Sequence, residues 1–289
     1  MFRSSLEPDA PTLDAIPCDR FEDFTLAFQS VFPRSDQFQR FQTYLRGLLQ
    51  DGERKNIESM SSRLAETEGS VSDLSQALQH FVSKSPWDAD RLFATTRQTI
   101  NDILTDPTAV WIVHDGVFPK KGRHSVGVQR QFARTAGRKL SCQVAVVISQ
   151  LGSSGYFPLT ARLYLPSHWL RDQKTTVERT VIEASRRHVS KAEIALNLID
   201  ELRSERRIPN RLVAEQGYAT SNEFVEGLQK RGIPSPEESS RELDEVRRRF
   251  DQLRTTLGLD HFEGRTWLGW HHHVCMVFAA HTFLESSRF

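Results

Sequence analysis

Three carboxylates stand where the chain changes direction. Asp115 follows the apolar run 109–113, Glu215 ends the short run 211–214, and Glu263 precedes an apolar helical pattern. Separated this widely, they could meet only in a fold. Gathered, they would offer the hard oxygen ligands with which two divalent cations drive in-line phosphodiester displacement, and no His or Cys box would be needed. The same positions also suit ordinary caps and turns, and the chain has 37 acidic residues to supply them. Beside Asp115 lies a cationic turn of Lys120, Lys121, Gly122 and Arg123, followed by Arg130 on an alternating segment; these side chains suit phosphate contacts that are salt-sensitive and nearly independent of sequence. Arg54 and Lys55, near a helix start, have an equal claim to DNA contact and to plain solvation.

Other chemistry-bearing residues read as structural. His271, His272 and His273 are consecutive on a helix, so they point in different directions and cannot all bind one ion. His114, at a strand end, is expected to be hydrogen-bonded. Trp267 and Trp270, spaced i, i+3 beside an apolar helix, are expected in the core rather than as a stacking platform.

The elements that must position these residues follow from periodicity. Residues 19–104 read as helices: Phe38, Phe41, Tyr44, Leu45 and Leu48 recur at helical spacing after Pro33, as do Ile57, Met60 and Leu64, and Leu74, Leu78 and Phe81. Ser85-Pro86-Trp87-Asp88 starts a further helix, and Asp106-Pro107 breaks the pattern. Three strands are then expected in series as an antiparallel meander: 109–113 with Asp115 just past its end, 126–132, and 140–148. The segment 159–166 alternates again, and helices are expected at 175–187 and 194–202. A strand at 211–214, a helix through Phe224 and Leu228, a linker at 233–240, a heptad-like helix through Leu243, Val246, Phe250, Leu253 and Leu257 stopped by Gly258, and a final apolar helix complete the chain.

Composition excludes several classes. Lys and Arg total 38 against 37 for Asp and Glu, a net charge of +1, so only local basic clusters mark a polyanion partner. The cysteines, Cys18, Cys142 and Cys275, are odd in number and far apart, which argues against a disulfide framework or a thiolate metal site. The first residues carry no apolar leader pattern, and no stretch approaches the roughly 18 apolar residues of a membrane span. A cytoplasmic protein is expected.

Six strings, YLRGLLQDGERKNIESM (44–60), FVSKSPWD (81–88), FPKKGRHSVGVQRQF (118–132), GRKLSCQVAV (137–146), LYLPSHW (163–169) and LGLDHFEGRTWLGWHHH (257–273), resemble bacterial insertion-sequence DDE transposases of the IS-seven-hundred-and-one kind, in order over most of 40–285. The resemblance implies an α/β fold in which a ribonuclease H-like mixed sheet with flanking helices follows an all-helical N-terminal domain. The expected boundaries are a lead-in at 1–18, a helical DNA-binding domain at 19–107 and a shortened catalytic domain at 108–289. It also implies Mg²⁺, with Mn²⁺ as a substitute, double-stranded DNA at transposon ends and targets as partner, a homo-oligomer on DNA, and association with the nucleoid when bound. Carried over by position, the family's strand-end Asp falls on His114 with its acidic neighbour on Asp115, its second Asp falls on Glu215 of AEQGYA, and its final Glu falls on Glu263. The catalytic and metal-binding set is thus expected at Asp115, Glu215 and Glu263, with Asp115 dependent on strand register. A core strand and an insertion usual in the family between the last two are absent, the linker 233–240 standing there instead. Two functions stay open: a DNA strand-transfer enzyme, or an inactive relative that keeps DNA binding or oligomerisation.

Overall fold

A computed structural model describes residues 18–68, 73–133, 137–172 and 188–287. The β-branched runs VWIV and QVAVVI form the centre of a mixed sheet, because side chains of this kind pack well on a pleat buried on both faces. Its strands are β1 (Val110–Pro119), β2 (Gln129–Ala133), β3 (Arg138–Gly152), β4 (Gly155–Leu163) and β5 (Arg211–Ala214). β1 is antiparallel to β3, from Val110 opposite Leu151 to Pro119 opposite Cys142, and parallel to β5. β3 also pairs antiparallel with β2 and with β4.

Two expectations change here. β1 does not end before Asp115; it continues to Pro119, so Asp115 is within the strand. Nor do the first three strands form a serial meander. Residues 125–128 are a turn, closed by the Val128 N–H on the Ser125 carbonyl at 3.1 Å, and β2 pairs only with 138–142 of β3. The physical reason is the length of β3: its 15 residues leave the apolar part, 142–151, for the equally apolar β1.

The helices are α1 (Cys18–Leu26), α2 (Ser35–Leu49), α3 (Ile57–Glu68), α4 (Leu74–Ser83), α5 (Ala89–Thr99), α6 (Asn101–Leu104), α7 (Ser167–Asp172), α8 (Lys191–Ser204), α9 (Gln216–Ala219), α10 (Asn222–Lys230), α11 (Ser240–Leu257) and α12 (Trp267–Ser286), with a 3₁₀ turn at Gln29–Val31. Asp88 caps α5 by accepting from the Asp90 and Arg91 N–H groups, and Gly258 ends α11 with φ +65°, a left-handed conformation that costs a glycine little. The helix expected at 175–187 and the lead-in 1–17 lie outside the described residues. Among the described residues, no helix is long and apolar enough to cross a membrane.

The sheet has two buried faces. On one, Ile112, Ala145, Val147 and Val213 join a core that includes Val246 and Phe250 of α11, most of α12, and Phe41, Leu45, Leu78 and Phe93 of the N-terminal helices. On the other, Trp111, Val113, Val146 and Ile148 pack with Ile199 and Leu202 of α8 and Phe224 and Leu228 of α10. The N-terminal helices therefore share one core with the last helix and the sheet, and α12 is buried on every side.

Burial all round fixes the histidines of α12 on separate partners. His271 Nδ1 donates to the Trp267 carbonyl at 2.9 Å while Nε2 accepts from the Leu163 N–H at 3.3 Å. His273 Nδ1 accepts from the Tyr44 hydroxyl at 2.8 Å and Nε2 donates to the Gly258 carbonyl at 3.0 Å. His272 lies flat against Trp87, ring centroids 3.5 Å apart, between the Val82 and Trp87 carbonyls. Burial drives His271 down to about 3 and His273 to about 4. Both stay neutral in the fold but take a proton when unfolded, so the unfolded chain binds more protons as the pH falls below about 6.5. Stability is expected to drop as the pH goes from about 6.5 toward 4, by on the order of 1 kcal/mol per histidine per pH unit. Urea midpoints measured across this range check it, with a shallower slope for His271→Gln.

Candidate functional site

The site rests on the pairing of β5 with β1. The register Val110 with Arg211 through Val113 with Ala214 continues as the Glu215 N–H donates to the Val113 carbonyl at 2.9 Å. Residue 114 is thereby the lateral neighbour of residue 215, and the two share a face, whereas Asp115 points to the opposite one. His114 is 1% exposed, with Nε2 3.1 Å from Ser149 Oγ and its ring edge-on to Phe250, centroids 5.2 Å apart. Burial lowers its pKa to about 4, against a smaller upward pull from Asp115. Gly116 lets α11 come this close, because a Cβ there would lie 2.9 Å from Phe250 Cζ.

Each carboxylate of the pair already holds its own cation. Asp115 Oδ2 is 2.5 Å from Lys191 Nζ at the start of α8, and Oδ1 accepts from the Tyr218 hydroxyl at 2.7 Å. Glu215, whose side chain is 8% exposed, accepts at Oε1 from Arg247 Nε at 3.1 Å and Nη2 at 3.0 Å, and at Oε2 from the Asp115 N–H at 3.3 Å. Burial and then the Asp115 charge raise the Glu215 pKa, and Arg247 opposes the rise.

Glu263 is elsewhere. It accepts from Asn56 Nδ2 at 3.1 Å, beside the contact of Lys120 Nζ with the Phe262 carbonyl at 2.8 Å. Lys120 is six residues along the chain from His114, roughly 20 Å in extended backbone. The Glu263 loop lines a cavity of about 780 Å³ with Lys55, Asn56, Ser61 and His261. The structure thus brings Asp115 on β1 and Glu215 at the end of the neighbouring β5 close together but not onto one face, and sets Glu263 apart from both. Among the described residues, no three His, Cys, Asp or Glu side chains are grouped to hold a metal ion. All four oxygens of Asp115 and Glu215 are engaged by protein donors, two of them by cations, so the residues present do not fit a divalent cation. Lys191 and Arg247, which decide this, carry no local signal in the sequence; Arg247 reads as one charge on the polar side of a heptad helix.

The candidate phosphate contacts divide by burial. Arg54, Lys121, Arg123 and Arg130 are exposed, joined by Arg138 and Lys139 on the β2–β3 hairpin. Lys120 is not available in the same way: its ammonium is fixed on the Phe262 carbonyl, and burial lowers its pKa. Lys55, 3% exposed, donates to the Gln50 carbonyl, and burial lowers it to about 8.

The DDE superfamily endonuclease family matches residues 27–236, and the chain belongs to this family. A curated relative, "Probable transposase for insertion sequence element IS701" of Microchaete diplosiphon, is 26% identical over 214 residues, covering 74% of this chain and 50% of the relative. The chain spans about half the length of that relative. No solved structure matches.

Because Glu215 is buried, removing its cation leaves a charge that water cannot reach. Arg247→Ala is expected to cost about 2–3 kcal/mol, less than a fully buried pair would because Arg247 is partly exposed. Glu215→Gln with Arg247→Ala is expected to recover most of the loss. Chemical denaturation of the four members of this double-mutant cycle checks both.

Proposed function

We propose that this chain is a transposase relative that binds insertion-sequence DNA through its cationic surface while its cutting centre stays unassembled. The observation that carries this reading is the placement of the acids: Glu215 is neutralised by Arg247 beside a neutral His114, Asp115 is neutralised by Lys191 on the other face, and Glu263 is bound to Asn56. The exposed cations Lys121, Arg123, Arg130, Arg138 and Lys139 support backbone contacts to DNA.

The strand order supports a ribonuclease H-like fold. β4, β3 and β1 are antiparallel in turn, and β5 is added parallel to β1. Beyond β5, where a further core strand would lie, the linker contributes one parallel bridge, Val213 with Glu237. A second reading, metal-dependent strand cleavage and transfer, is favoured by one observation: Asp115 on β1 and Glu215 just past the end of the parallel neighbour β5 come close together, the Asp115 N–H donating to Glu215 Oε2.

Labelled DNA from the gene's own flanking repeats tests the two. The expected result is salt-sensitive binding with no cleavage or 3′-end joining in Mg²⁺ or Mn²⁺. Metal-dependent products that Glu263→Gln abolishes would establish the second reading, and an absence of binding by the folded chain would defeat both. The triple change Lys121→Ala, Arg123→Ala and Arg130→Ala is expected to reduce the slope of log affinity against log salt by about 2–3, since each phosphate contact contributes roughly 0.9.

A further inference from the structure

We propose that the face of the sheet bearing Glu215 is closed to divalent cations by two residues acting together, Arg247 and His114, and that exchanging this pair opens it. The inference rests on the reading above and names the side chains responsible. Arg247 places two N–H groups on Glu215 Oε1, within 3.1 Å, and so occupies the position a cation would take on that oxygen. His114 is the lateral neighbour of Glu215 by strand register, the one position beside it on β1 from which a second carboxylate could reach the same ion. Strands lie about 4.8 Å apart, a separation that two carboxylates bound to one small cation can span. In this chain the position holds a neutral imidazole engaged with Ser149, whose hydroxyl in turn meets the Tyr156 hydroxyl at 3.1 Å. Asp115 cannot substitute, because alternation turns it toward Lys191 and Tyr218 on the other face.

The exchange His114→Asp with Arg247→Gln sets two carboxylates side by side without a protein cation. Mn²⁺ is the probe, read by the loss of its free-ion paramagnetic signal and by thermal unfolding. The wild-type chain is expected to take up no Mn²⁺ at this face. The double variant is expected to bind one equivalent and to unfold at a higher temperature as Mn²⁺ is added, because the ion binds the folded state alone. Glu215→Gln on the double background is expected to remove both effects. His114→Asp alone, which keeps Arg247 on Glu215 Oε1, is expected to bind at least tenfold more weakly. Should the double variant be unfolded without metal, the same titration is read by circular dichroism, and Mn²⁺ is expected to restore the folded signal only while Glu215 is present.

Uptake by the wild-type chain that Glu215→Gln abolishes would overturn the proposal, as would a double variant that neither binds Mn²⁺ nor is refolded by it. Either result, obtained with a chain that binds end DNA without cutting it, overturns the closure and leaves the function proposed above intact. Metal-dependent cutting by the wild-type chain overturns both.

Discussion

The site depends on the parallel addition of β5 to β1. Register makes residues 114 and 215 lateral neighbours, and the two-residue period of a strand sends Asp115 away from them. One residue of register separates an anionic pair from an arrangement in which each acid meets a different helix. Glu215 faces α11 and Arg247, while Asp115 faces α8 and α9 with Lys191 and Tyr218. The charges balance pair by pair, which is what low exposure demands of buried carboxylates.

A second constraint is the burial of α12. Buried all round, it must be surrounded, and the N-terminal helices contribute to the enclosure: Phe93 meets Phe278 with ring centroids 5.5 Å apart, and Tyr44 holds His273. The loop ahead of α12 is tied to the same helices, by Asn56 on Glu263 and by the Lys55 N–H on His261 Nδ1 at 3.0 Å. Packing of the helical region thereby sets where Glu263 lies, at the far end of β1 from His114. The histidines that look like a metal box along the sequence are instead polar anchors, each satisfied by a different element.

The outer edge of the sheet carries a third feature. β5 is short, and the 233–240 segment lies along it with a single bridge, the Glu237 N–H on the Leu212 carbonyl at 2.7 Å and an Arg211–Glu237 ion pair at 2.6 Å. A short, charged edge is a poor template for pairing with another strand. The chain belongs to the DDE superfamily endonuclease family, and at this edge of its sheet a His stands beside Glu215 and an Arg upon it.

Much of the chain was legible in its residues, because local forces act on local patterns. The helical spacing of 38–48, the helix start at 85–88, the 211–214 strand, the Gly258 stop and the apolar final helix all appear where periodicity and turn chemistry put them, and the family resemblance is likewise borne out. What the residues left open was set by long-range pairing and packing. The apolar stretch of β3 took β1 as partner, which carried β1 past Asp115. Register chose His114 over Asp115 as the neighbour of Glu215. Burial withdrew Lys55 and Lys120 from the cationic surface, and α11 delivered Arg247 to Glu215 from 32 residues away. Sequence by itself determined the elements and the family, since these follow from side chains a few residues apart; tertiary structure decided which acids meet and which cations answer them, since charges interact through space.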